Sequence, residues 1–429
     1  MVSRTFRSIN TSSGRVARNR GILLKEHTLV MSFIFLVLPL FDMMTGFLVV
    51  QGFMAQGSVG SPSQMGRFLA TLILLYVNSR TRIPAIWLII FAWLILVETV
   101  AGLQHNQISG VLLGYVAISK FLYMYLLFVT LVRYVHHHGA PLIKYLKFNL
   151  NFINCSIVFA FATGLANSTY GAGFGTKGFF ASGNNLGVYV GVATLVLLAM
   201  RRYRYYDTVG TPTFVLSLMS LVLLGTKTSF LMALTVFCLV LWQSRMRVLI
   251  IPMFVSAIVY AWDAIVYQST IFFDIIIMRY KNNSSLIEYL FSNRNNYVSG
   301  AFADVYQQDI GVLRWVTGAG SFVSFQDPAW VAFFDTLETD LFDILFMYGM
   351  IGLIGYLMLL AYGIKLHLRH PHLLLSIGLL SLHSIIAGHV LFNGMGSTLL
   401  IVVIVIGTLL KPNGVDEPRT QPIPNGDRL

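Results

Sequence analysis

Residues 84–103 read PAIWLIIFAWLILVETVAGL, a run in which Glu98 is the only charged side chain. A helix rises about 1.5 Å per residue, so about 20 residues span the roughly 30 Å of a bilayer's hydrocarbon core. The run has no polar side to offer water. It reads as a membrane span.

Similar apolar runs lie near 28–50, 65–79, 111–132, 148–166, 183–200, 211–225, 229–243, 248–269, 341–364, 373–391 and 397–410, twelve with the first. The runs at 65–79, 211–225, 229–243 and 397–410 are short, which leaves room for re-entrant segments or for extension by flanking residues. Composition agrees: 56% of the 429 residues are apolar and only 11% charged, with mean hydropathy +0.73. A soluble domain carries about 25% charged residues. A soluble enzyme, a nucleic-acid-binding module and a disordered chain are all excluded. The expected fold class is all-α: a polytopic integral membrane protein of about twelve transmembrane helices.

The net charge of +12 is mostly topology. Arg4, Arg7, Arg15, Arg18, Arg20 and Lys25 precede the first span, and most other basic residues fall in alternate loops. These include Arg80 and Arg82, Arg133, Lys144 and Lys147, Arg201, Arg202 and Arg204, Arg245 and Arg247, and Lys365 and Arg369. The positive-inside rule then makes both termini cytoplasmic. The expected layout is a basic N-terminus (1–27), spans one to nine (28–268), a large external loop (269–340), spans ten to twelve (341–410) and a tail (411–429). Cys155 and Cys238 lie inside apolar runs, without metal or disulfide spacing, and read as small core residues.

A loop of this length is functional or disordered more often than idle. Its Tyr297, Val298, Ala301, Phe302, Val305 and Tyr306 recur at helical spacing, which predicts an amphipathic helix. A structured lid without chemistry is the bland alternative. Cations expected on the outer side are few: Arg294 and Arg314 in the loop, the latter just before Thr317-Gly318-Ala319-Gly320, Lys227 in Gly225-Thr226-Lys227-Thr228-Ser229, Lys177 in a glycine-rich segment, and Arg67 at the start of the second span. Each could also be a snorkelling charge at a helix end. Glu338 and Asp340 lead into the tenth span, and Asp343 follows three residues after Asp340 on the same helical face. Ion pairing with nearby arginines would explain these carboxylates as well as catalysis does. Asp42, Glu98, Lys120, His383 and His389 fall within spans and in isolation suggest a transporter's proton relay. The two histidines are not at a helical metal-ligand spacing, so neither a metal site nor a cofactor is expected.

Taken in order, these motifs resemble the O-antigen polymerase and O-antigen ligase superfamily of bacterial envelope glycosyltransferases, over about residues 65–410. The order runs from Ser182-Gly183-Asn184-Asn185-Leu186-Gly187 through the Lys227 turn, Arg294 and Gly318-Ala319-Gly320. It closes with Glu338-Thr339-Asp340 leading to Tyr348-Gly349-Met350-Ile351-Gly352. The resemblance implies transfer of a glycan from undecaprenyl diphosphate at the outer face of the bacterial inner membrane. The acceptor is a sugar hydroxyl of the next lipid-linked unit in a polymerase, and lipid A–core in a ligase.

The resemblance also implies partners: the undecaprenyl-diphosphate-linked oligosaccharide, membrane lipids and, for polymerases, often a chain-length regulator protein, with no nucleic acid. A departing diphosphate needs positive charge, and without a metal Arg294, Lys227, Arg314, Lys177 and Arg67 would supply it. Glu338 is the first candidate for general base and Asp340 the second. Many members carry Arg where Lys227 stands, and ligases typically carry His just before the span that begins here near Leu341. The expectation is therefore a metal-independent polymerase, with a ligase and a flippase of the same lipid-linked glycan as rivals.

Overall fold

The computed structural model describes residues 28–54, 60–79, 83–104, 108–138, 141–165, 167–169, 175–203, 210–243, 294–307, 312–321 and 337–410, with isolated positions between 256 and 277. The N-terminal segment 1–27, most of the ninth expected span, much of the loop 269–340 and the tail 411–429 lie outside the described residues.

The described residues are almost entirely helical, with no strand among them. The helices are α1 (Thr28–Val50), α2 (Pro62–Asn78), α3 (Ala85–Gln104), α4 (Ile108–His138), α5 (Pro141–Ala162), α6 (Gly183–Arg202), α7 (Thr211–Leu224) and α8 (Lys227–Gln243). Next come α9 (Arg294–Gln307) and α10 (Val312–Thr317), then α11 (Asp340–His367), α12 (Pro371–Ala387) and α13 (Gly394–Leu409). Six of these, α1, α3, α4, α5, α6 and α11, are long and apolar enough to cross a membrane. The apolar helices α7, α8, α12 and α13 are shorter.

Local signals set the ends. Pro62 opens α2 after Ser61, whose side chain accepts from Gln64 N. Thr226 and Ser229 cap the start of α8 reciprocally, each side-chain oxygen accepting the other's backbone N–H at 3.0 and 2.9 Å. Inside α1, Pro39 offers no N–H to Phe35 O, and the turn Phe33–Val37 widens to a π-helix. Asn149 Nδ2 donates to the freed carbonyl at 2.6 Å, and Tyr189 Oη donates to Asn149 Oδ1 at 2.5 Å. One polar chain thus ties α1 to α5 and α6.

Helices α6 and α13 form the centre, buried around nearly their whole circumference. Small residues let α6 approach α8 closely. A Cβ on Gly191 would lie 2.5 Å from Met232 Cβ, so a larger residue there would push the helices apart. Further ties are Tyr123 Oη to Thr398 Oγ1 at 2.7 Å (α4 to α13) and Asn154 Nδ2 to Ser217 Oγ at 2.9 Å (α5 to α7). In a bilayer such bonds are worth about 0.6–2 kcal/mol each.

The outer surface is apolar, with Phe68, Ile89, Leu96, Phe159, Leu234 and Met358 among the large side chains left exposed. A water-soluble fold would hide such a surface, and a lipid-facing bundle presents it. Cys155 and Cys238 belong to this surface: both are exposed, which corrects the expectation that they are core residues. Their sequence surroundings are equally apolar on both sides of the helix, so burial could not be read from them.

Helix α9 packs on the bundle through Phe302. Its ring lies 5.0 Å from Phe346, 5.9 Å from Phe342 and, stacked, 6.0 Å from Trp315 of α10. Thr317-Gly318-Ala319-Gly320 enters a break in α11 at Gly349 (φ 62°, ψ −163°). Ala319 N and Gly320 N donate to Phe346 O and Met347 O at 3.1 and 2.9 Å. At Gly349 a Cβ would sit 2.4 Å from Val316 O, so the joint requires glycine for both angle and space. Glu98, one of the charged residues within spans, closes the joint: its carboxylate accepts from Ser321 N at 3.0 Å and from Tyr348 Oη at 2.8 Å.

Candidate functional site

A second break, between α12 and α13, makes the site. Helix α12 ends at Gly388 (φ 62°, ψ −158°) and α13 begins after Asn393, whose Oδ1 accepts from Met395 N and Gly396 N. A Cβ on Gly388 would meet Glu338 O at 2.5 Å, so this segment runs backbone against backbone over the turn that opens α11.

That contact brings His389 to Glu338. Arg294 Nη2, at the first position of α9, donates to Glu338 Oε2 at 2.8 Å, and His389 Nε2 lies 3.8 Å from Glu338 Oε1. The longer distance is no hydrogen bond, and it is an ion pair only while the imidazole is protonated. His389 and then Arg294 hold the Glu338 carboxyl below the usual carboxylate range, against a burial that works the other way. The Arg294 side chain is 8% exposed, and its Nε is buried without a hydrogen-bond partner. His383, on α12, has Arg294 and His389 as electrostatic neighbours and a buried Nε2 without a partner.

The backbone here is strained. Glu338 (φ 60°) and His389 (φ 63°) are the non-glycine residues with positive φ among the described residues. An L-residue in the left-handed region costs about 1–2 kcal/mol. The two meet directly, with Arg294 on the other oxygen of Glu338, and packing must hold what local preference opposes.

The carboxylates beside them are tied into the framework. Asp340 is fully buried, and its Oδ2 accepts from Ser384 Oγ (2.5 Å), Val390 N (2.9 Å) and Leu391 N (3.1 Å). It thereby satisfies amides released by the break. Asp343 turns back to accept from Leu337 N at 2.5 Å. Among the described residues, backbone amides hold both, joined at Asp340 by the Ser384 hydroxyl.

The remaining expected cations stand in other settings. Lys227 is exposed at the first position of α8. Lys177 Nζ donates to Ala181 O at 3.2 Å within its own loop, and burial lowers its pKa. Arg314 is half-buried on α10, with its pKa likewise lowered by burial. Arg67 lies against Asp42 (3.9 Å), Ser63 Oγ (2.9 Å) and Phe392 O (3.4 Å). Asp42 also accepts from Ser63 Oγ.

Sequence reasoning paired Arg294 with Glu338 as site residues and missed His389. The signal was present in Gly388-His389 and Asn393-Gly394, which interrupt an apolar stretch with a glycine at each end. Arg, Glu and His together can bind an anion, hold a proton donor or acceptor, and fix its orientation. In comparisons with known proteins, no family model, curated protein or solved structure matches this chain.

Proposed function

We propose that this chain is a polytopic inner-membrane glycosyltransferase, both termini cytoplasmic, that polymerises lipid-linked polysaccharide repeat units at the outer face. The observation that carries the reading is the Arg294–Glu338–His389 cluster, built on strained backbone where a loop helix meets an apolar bundle. Glycan transfer from a lipid diphosphate needs a cation at the leaving group and a base at the acceptor hydroxyl, and the cluster contains both.

In this mechanism the acceptor hydroxyl gives its proton to His389 as its oxygen bonds to the anomeric carbon of the donor. The anomeric carbon–oxygen bond breaks, and the diphosphate leaves with the electron pair toward Arg294. Glu338, held anionic by its neighbours, positions both partners. It is a weaker base than the sequence suggested, because the pairing that orients it also lowers its affinity for a proton. Lys227, Lys177 and Arg314 are the further cations available to the diphosphate. A chain-length regulator is the kind of protein that polymerases of this type often work with.

His389 also favours a second reading. The missing histidine before the tenth span spoke against a ligase, yet the α12–α13 break delivers an imidazole to that place. The test is purified protein in lipid vesicles with an undecaprenyl-diphosphate oligosaccharide from its host, with EDTA present, and products resolved on a gel. A ladder of lengthening glycans is expected. A single transfer that requires lipid A–core would make the protein a ligase, and leaflet-to-leaflet movement without transfer would make it a transporter.

A further inference from the structure

The break that carries His389 is pinned at both ends. Val390 N and Leu391 N donate to Asp340 Oδ2 at 2.9 and 3.1 Å, which ties its start to α11. Phe392 O accepts from Arg67 Nη1 at 3.4 Å, which ties its end to α2. A Cβ on Gly394 would lie 2.1 Å from Arg67 Nε and 2.7 Å from Cζ, so the guanidinium also lies against the backbone that opens α13. Arg67 thus touches the chain on both sides of the Asn393 cap.

Arg67 is itself held from α1. Its Nη2 donates to Ser63 Oγ at 2.9 Å and lies 3.9 Å from Asp42 Oδ1. Ser63 Oγ donates to the same Asp42 oxygen, and Ser63 N donates to Thr45 Oγ1 at 2.7 Å. A guanidinium is a rigid planar fork, so fixing Nη2 fixes the direction of Nη1. A chain of contacts therefore runs from Asp42 through Arg67 to Phe392. His389, three residues before Phe392, has a left-handed backbone that relaxes unless its surroundings over-determine it. Asp340 supplies one constraint on the segment after His389, and Arg67 supplies the second.

We propose that Arg67, oriented by Asp42 and Ser63, is a positioning residue that holds the α12–α13 break so that His389 faces Glu338. It acts through the Phe392 carbonyl and the Gly394 backbone, which differs from the diphosphate contact expected from sequence. The bracing of the break does not depend on which reaction the Glu338 cluster performs. Its consequence for transfer rests on the glycosyltransferase reading.

Hydrogen exchange read by mass spectrometry on the full chain tests the bracing. In Arg67→Met the amides of residues 390–396 should exchange at least about tenfold faster than in the wild type, while those of α6 keep their rate. The double variant Asp42→Asn/Arg67→Met leaves no carboxylate without its partner, and the local acceleration should persist in it. Unchanged exchange at 390–396, acceleration spread evenly over the bundle, or a local effect that vanishes in the double variant would each overturn the proposal. The gel-ladder assay separates positioning from substrate contact. Arg67→Met should lower kcat by about 10²-fold, the usual effect of a small misplacement, and leave KM for the lipid-linked donor unchanged. A raised KM at unchanged kcat would put Arg67 on the donor and overturn the positioning role. If the wild type makes no ladder, the glycosyltransferase reading fails, and the exchange result still decides whether Arg67 braces the break.

Discussion

Gly349 and Gly388 have nearly the same backbone angles, φ 62° with ψ −163° and φ 62° with ψ −158°, and each interrupts helical structure at the same end of the bundle. Their surroundings differ. At Gly349 the carbonyls Phe346 O and Met347 O accept loop amides, and the Glu98 carboxylate is engaged on both oxygens. Ser321 Oγ is the buried polar side-chain atom left without a partner there. At Gly388 the neighbours include two left-handed non-glycine residues, and Arg294 Nε, Asp340 Oδ1, Thr339 Oγ1 and His383 Nε2 are all unsatisfied. Satisfied polar groups make a joint. Unsatisfied ones held in place leave hydrogen-bonding capacity that a ligand could complete.

The sharpest way to break this comparison is to mutate each side and read stability and activity separately. Arg294→Ala should lower chain growth by about 10²–10³-fold, the usual effect of removing one group that stabilises developing charge. Its melting temperature in detergent should fall as well, because Glu338 loses its hydrogen-bonded partner, so the gel ladder is read per folded protein. A full-length ladder from Arg294→Ala would remove this residue from the chemistry. Glu98→Ala should act on stability at the other break. Tyr348 Oη and Ser321 N would lose their acceptor at about 1–3 kcal/mol each, so thermal unfolding should drop while any activity that survives keeps its substrate dependence.

A smaller effect tests the strain itself. His389→Gly relieves a left-handed residue and should stabilise the protein by about 1 kcal/mol while abolishing transfer. A melting temperature that falls would mean the imidazole is structural. The smallest effect is a pH dependence. The folded pKa of Glu338 lies below its ordinary value of 4.5, so its contribution is complete above 4.5 and is lost as pH falls through the lower folded value. Wild type and Glu338→Gln should therefore converge in stability as pH falls below 4.5. A gap that instead opened in acid would contradict the pairing.

Much of the architecture was legible because lipid-facing helices need apolar runs of known length. Helix α9 could be read from its own spacing, from Tyr297 to Tyr306. Residues whose meaning depends on distant partners could not be read that way. Glu98 looked like a relay carboxylate because Ser321 and Tyr348 are remote in sequence. The donors that hold Asp340 Oδ2 are equally remote, lying on α12 and beyond. His389 looked like a span residue until the two glycine-bounded ends of the break showed the chain leaving the helix there.

The π-helical turn at Phe33–Val37 has a consequence of phase. One additional residue in a turn offsets everything beyond it by about 100° around the axis. The second half of α1 is clocked by that offset, which is how Asp42 and Thr45 come to face Arg67 and Ser63. Deleting a single residue from the turn would leave the helix equally apolar and rotate Asp42 away from Arg67. In α1, angular position is encoded by residue count more than by residue type.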